Sequence, residues 1–271
     1  VNTDPATGVV AIGWLQLVLA TGLILLVGAL SWRLRLGLER DLAIATLRTY
    51  AQLILLGFVL QWVFGVDSAL LVIGILLVMI GMAAVTIVQR APDAPRGILG
   101  NSFFSMLVTA FSVTFIVTAL IIQVEPWYAP RYVIPIAGMV LGNSMNGIAL
   151  ALERTYSDMD ARSGEILSLT ALGATPWEAG SASVRTGIRA GLIPTINSMA
   201  TVGVVFIPGM MTGQIIAGAD PVDATAYQIV VMLMVAAATA MGAVLTVLLS
   251  FRRRFTSDGI YLERGLRPER R

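Results

Sequence analysis

The chain contains no cysteine, no histidine and no lysine. Without cysteine there is no disulfide, no thiolate metal site and no Cys-based redox motif. Without histidine, HExxH zinc chemistry and imidazole relays are excluded. Without lysine a retinal Schiff base cannot form, and a working Walker A loop, whose lysine reaches the phosphates, is ruled out. The chain therefore does not hydrolyse ATP by itself. Charge of either sign is scarce: 13% of the 271 residues, against about 25% in water-soluble domains. No Asp or Glu lies deep in an apolar run. Proton-coupled pumps rely on such groups or on histidine, so an energy source outside the chain is favoured, with sodium coupling through neutral oxygens left open.

What the chain does have is apolar length. It is 57% hydrophobic, in long blocks. Seven runs, 10–32, 42–64, 68–88, 101–122, 132–152, 191–218 and 225–250, are each long enough to cross a hydrocarbon core of about 30 Å as a helix. The expected fold is an all-α membrane protein of about seven spans in one polytopic domain, 1–271, with no soluble domain. Arginines follow the odd-numbered runs: Arg33, Arg35 and Arg40; Arg90 and Arg96; Arg154, Arg162, Arg185 and Arg189; Arg252, Arg253 and Arg254. Positive charge stays on the cytoplasmic side, so the N-terminus is expected outside and the C-terminus inside, in a plasma membrane. The first run is long and has no basic region before it, so no cleaved signal is expected. The Arg-rich tail, 251–271, reads as an anchor on anionic lipid headgroups, and nucleic acid is not an expected partner.

Between runs five and six, residues 153–192 turn small and polar yet keep helical spacing. Ser163 can start a helix with Glu165 in its first turn. Ile166, Leu167, Leu169 and Leu172 make an apolar stripe, and Gly173 is a stop signal. Thr175, Pro176 and Glu178 then spell a capping box with proline at its first helical position. The second helix is expected to run through Val184, Ile188 and Leu192 to a break at Pro194. The hairpin elbow is "GATP", and such a pair either rests on lipid headgroups or docks into a groove on a cytoplasmic partner.

Polar groups also fall inside the apolar runs. Asn143, Ser144 and Asn146 lie in run five, and Asn197 and Ser198 in run six. They either bond one another and hold the two helices together or line a polar path. Late in run six, "FIPGMMTGQIIAG" sets Pro208 and Gly209 beside Met210, Met211, Thr212 and Gln214. A helix broken there frees carbonyls that can coordinate cations, with Met210, Met211 and Gln214 as metal-ligand candidates. A plain kink is the alternative.

The stretch "ALGATPWEAGSASVRTGIRAGLIPTI" resembles the coupling loop of ATP-binding-cassette permeases, although Leu167 stands where importer loops carry an acidic residue. "LRTYAQLILLGFVL", "GMVLGNSMNGIALALER", "LIPTINSMATVGVVFIPGMMTGQIIAG" and "ADPVDATAYQIVVM" are similar to the FetB-type (YbbM-like) permeases, which include a bacterial iron exporter and plant aluminium-tolerance permeases. The resemblance implies a transport subunit, not an enzyme, that binds no cofactor. A separate ATP-binding subunit would carry ATP and Mg, two permease copies would pair, and metal ions such as iron would be exported. It implies coupling through Glu165, Leu169, Leu172, Gly173, Ala174, Thr175, Pro176, Trp177 and Glu178. A stand-alone secondary transporter or channel for a small solute or ion remains the alternative.

Overall fold

The computed structural model describes residues 12–66, 68–95 and 97–262. Residues 10 and 11 of the first run, Asp67, Arg96 and the tail beyond residue 262 lie outside the described residues. Among those described, all regular structure is helical apart from two isolated bridges. The helices are α1 (Trp14–Leu34), α2 (Glu39–Val63), α3 (Ala69–Arg90), α4 (Leu99–Phe115), α5 (Pro130–Ala161), α6 (Ser163–Ala171), α7 (Pro176–Thr201), α8 (Gly209–Ile216) and α9 (Pro221–Phe251). α4 runs on in wider π turns through Ile121, where the Ile122 N–H reaches back to the Val117 carbonyl. Among the described residues six helices are long and apolar enough to cross a membrane: α1, α2, α3, α4 with its π turns, α5 and α9.

The sixth expected span, 191–218, is not one helix. Its first part belongs to α7, which starts at Pro176 and carries a polar first half. Pro194 does not end α7 either: the helix passes through it to Thr201. The missing proline N–H costs one backbone bond, yet α7 is clamped to α5 just before that point. The break comes later. Val202 turns extended and Gly203 takes φ +79°. The Val205 N–H folds back to Thr201 O and the Gly203 N–H to Phe206 O. Pro208 then precedes the new start at Gly209.

The chain packs as two compact units. One holds α1, α2, α8 and the first residues of α9. In it α1 and α2 form a hairpin through Arg35 (φ +54°) and Gly37 (φ +72°). Ser31 donates to Glu39 at 2.9 Å, and the Tyr50 hydroxyl meets Thr21 at 2.6 Å. Most of α1 and α2 stays exposed, as suits helices bathed in lipid.

The other unit holds α3 to α7 and α9 from Thr225. Side-chain registers set its helix directions. Met79 faces Gly138 and Arg90 reaches Asn146, so α3 and α5 run parallel; Gly242 faces Ile148 and Ser250 meets Tyr156, so α9 is parallel to them. Asn101 reaches Leu249 while Thr109 lies near Gly242, so α4 is antiparallel. α7 is antiparallel to α5 and lies closest to it. A Cβ at Gly187 would stand 2.6 Å from Ala151 O, and one at Gly191 2.7 Å from the Ala151 Cβ. Small residues at this spacing let two backbones touch. The ends of α3, α5 and α9 and the starts of α4 and α7 therefore gather at one end of this unit.

Candidate functional site

The elbow sits at that end. α5 runs on past the expected apolar limit to Ala161, and α6 follows after Arg162. Arg162, not Ser163, is the cap residue, and Ser163 is the first residue of α6. One guanidinium edge of Arg162 donates to both Glu165 carboxylate oxygens, Nη2 at 2.6 Å and Nε at 2.9 Å, which holds the Glu165 carboxyl below its ordinary range. Of the apolar stripe, Ile166 is fully buried, while Leu167 and Leu169 are half-buried.

α6 stops in a Schellman motif. The Ala174 N–H donates to Leu169 O and the Gly173 N–H to Thr170 O, with Gly173 at φ +94°. This left-handed position is what glycine supplies at a helix end. Two residues on, the capping box closes around Pro176. Thr175 N–H and hydroxyl both donate to Glu178 Oε2 at 2.8 Å, and the Glu178 N–H donates to the Thr175 hydroxyl at 3.3 Å. These bonds favour the ionised Glu178 and lower its pKa, the backbone N–H most. Leu172, 86% exposed, and Trp177, 43% exposed, stand at this doubly fixed tip.

A second feature of this end was not foreseen. Arg254 does not lie on the surface with Arg252 and Arg253 but is buried, 6% exposed. The segment after α9 turns back as a small hairpin: Thr256 N–H donates to Ile260 O, Gly259 takes φ +82°, and Phe255 bridges Tyr261. "FTSDGIY" carries the signal in retrospect, because aromatic residues flanking an Asp-Gly pair mark a tight hairpin. A recess of about 700 Å³ opens between Gly173–Pro176 and Arg252, Phe255 and Thr256–Gly259.

The polar groups of run five lie on α5. Asn143 donates to Met139 O and Ser144 to Val140 O, each within its own helix. Asn143 and Asn146 are exposed, and Asn146 Oδ1 accepts from Arg90, the last residue of α3. Asn197 is exposed on α7 and Ser198 is half-buried. The close contact between α5 and α7 is made where Gly187 and Gly191 meet Gly147, Ala151 and Thr155. Pro208 ends the loop after α7, and α8 carries Gly209, Met210, Met211, Thr212 and Gln214. Met210 and Gln214, four apart, share a face of α8. Among the described residues no three His, Cys, Asp or Glu side chains gather as a metal site.

Residues 14–255 match the model of "Uncharacterised protein family (UPF0014)". The chain is 37% identical to the UPF0014 membrane protein slr1647 of Synechocystis, over 90% of this chain and 92% of that protein. It is 35% identical to the "Probable iron export permease protein FetB" of Escherichia coli, covering 89% of this chain and 92% of that one. It is 34% identical to the "Protein ALUMINUM SENSITIVE 3" of Arabidopsis thaliana, covering 86% and 84%. No solved structure matches. With six candidate spans and a family match over almost its whole length, this chain is a multi-pass membrane protein of the UPF0014 permease family.

Proposed function

We propose that this chain is the permease subunit of an ATP-binding-cassette transporter, driven by a separate ATPase subunit and exporting metal ions such as iron. The carrying observation is the elbow: an apolar side chain, Leu172, held out at 86% exposure between a Schellman stop and a capping box. An amphipathic pair resting on lipid needs no rigid corner. A docking tip does, because it must enter a groove without refolding. The name of the E. coli relative supports iron as cargo. Arginines at the elbow end, Arg90, Arg162, Arg185 and Arg252–Arg254, support a cytoplasmic position for that end. α7 then makes the return crossing, starting fifteen residues before the apolar run that first suggested it.

In this reading two copies pair, and each elbow docks one ATPase subunit carrying ATP and Mg. Closure of the ATPases rocks the elbows and opens the path to the other side. Asn143, Ser144, Asn146, Asn197 and Ser198, with the carbonyls and side chains around Pro208–Gln214, offer neutral oxygens and thioethers along the way. Arg90 beside Asn146 repels a bare divalent cation, so the metal travels with ligands that offset its charge.

The test is a mild-detergent purification of the full chain from its native membrane, with retained proteins identified by mass spectrometry. An ATP-binding subunit is expected in stoichiometric amount, falling about tenfold or more with Leu172→Arg, as for a central interface anchor. A clean homo-oligomer that moves ions in liposomes without any ATPase would sink the reading.

A further inference from the structure

The C-terminal arm extends the docking role proposed above and rests on it. Arg254 Nη2 donates to Asp160 Oδ2 at 3.0 Å and to Asp93 O at 2.9 Å, and its guanidinium carbon lies 5.5 Å from the centre of the Tyr156 ring. The Tyr261 hydroxyl donates to the other Asp160 oxygen at 3.1 Å. A buried charge with several partners is costly to separate from any one of them, so this cluster fixes the arm on the end of α5. The same arm also reaches the elbow. Trp177, Phe251, Phe255 and Tyr261 stack edge to face in sequence, with centroids 5.6, 6.3 and 5.6 Å apart. Gly259 backs onto the Pro176 ring.

Besides the α5–α7 clamp at Gly187 and Gly191, which lies about three turns along α7 from the tip, two routes join the docking tip to α5 at its own level. One is the chain itself through α6, interrupted by Gly173, whose backbone has no Cβ to stiffen it. The other is the arm, with an ion pair at one end and stacked rings at the other. We propose that residues 252–262 act as a strut, with Arg254, Asp160 and Tyr261 as positioning residues. A displacement imposed at Leu172 passes through the strut into α5 and is not taken up as a swing at Gly173.

Because the chain has no native cysteine, pulsed electron resonance can test this cleanly. Spin labels go on Ala171→Cys beside the elbow and on Leu150→Cys in α5, both exposed. Labelled chains are diluted with unlabelled copies and held in nanodiscs with the co-purifying ATP-binding subunit. In the parent protein the label distance is expected to be the same without nucleotide and with ATP trapped. With Asp160→Asn, or with the milder Tyr261→Phe, the ATPase subunit is still retained, but ATP trapping shifts the distance by about one helical turn, roughly 5 Å. Exchanging the charges, Asp160→Arg with Arg254→Asp, is expected to restore the fixed distance. The strut is overturned if the single variants hold the parental distance in both states, or if the parent itself shifts. If the unsubstituted chain retains no ATP-binding subunit, the docking reading fails first and the strut has no load to carry.

Discussion

Glu178 answers to pH through its bonds to Thr175. Its pKa lies below the ordinary value of 4.5, so its support for the elbow is complete above that value and disappears as pH falls through the lowered one. A nitroxide on Ala171→Cys is expected to keep constant mobility from neutral pH down to about pH 5, where an ordinary glutamate is still mainly ionised, and to loosen in stronger acid. Thr175→Ala removes the side-chain half of the cap and is expected to weaken the start of α7 by about 1 kcal/mol, read as faster hydrogen exchange at residues 178–180. Gly173→Ala forces a side chain into φ +94°, which costs about 1–2 kcal/mol. The elbow was legible in the sequence because its bonds span no more than five residues. The burial of Arg254 was not, since its partner Asp160 lies 94 residues away and an Arg run beside a membrane reads as surface charge.

At the scale of elements, the α5–α7 contact governs how firmly the elbow is tied to the bundle. Gly187 meets Thr155 and Ala151 with no room for a methyl group. Gly187→Val is expected to destabilise the protein by about 1–3 kcal/mol, as overpacking does, and to lower its thermal midpoint in detergent. Gly28→Ala in α1, where nothing lies within 4 Å, serves as the neutral comparison. The apolar runs showed five of the six spanning helices almost to their ends. They misplaced the helix after the elbow, expected over 191–218, because hydropathy follows composition while α7, Pro176–Thr201, is set by contact with α5. Its polar first half, with Arg185 and Arg189 exposed, hid a continuous helix, and Pro194 looked like an end when it was a tolerated interior residue.

For the whole molecule, orientation is the claim with the widest reach. Single cysteines placed at Leu172 and Ala219 in the otherwise cysteine-free chain are expected to react with impermeant thiol reagents from opposite sides of a sealed membrane, Leu172 from the cytoplasm. Reaction from the same side would overturn the proposed α7 crossing and with it the proposed docking of the elbow on an ATPase. Helix directions in the larger unit were only half legible: arginine counts implied the gathering of ends at the elbow, but the parallel pairing of α3, α5 and α9 depends on contacts between distant residues. The glycine clamp on α7 also makes the elbow a matter of phase. Eleven residues, about three helical turns, separate Pro176 from Gly187. One alanine added between them rotates the tip by about 100° and lifts it about 1.5 Å, turning Leu172 away from any groove shaped to receive it. Seven added residues, close to two full turns, nearly restore its bearing but set it about 10 Å too far out. In the proposed docking, the length of this segment is thus a fixed gear tooth, and its sequence can change far more freely than its count.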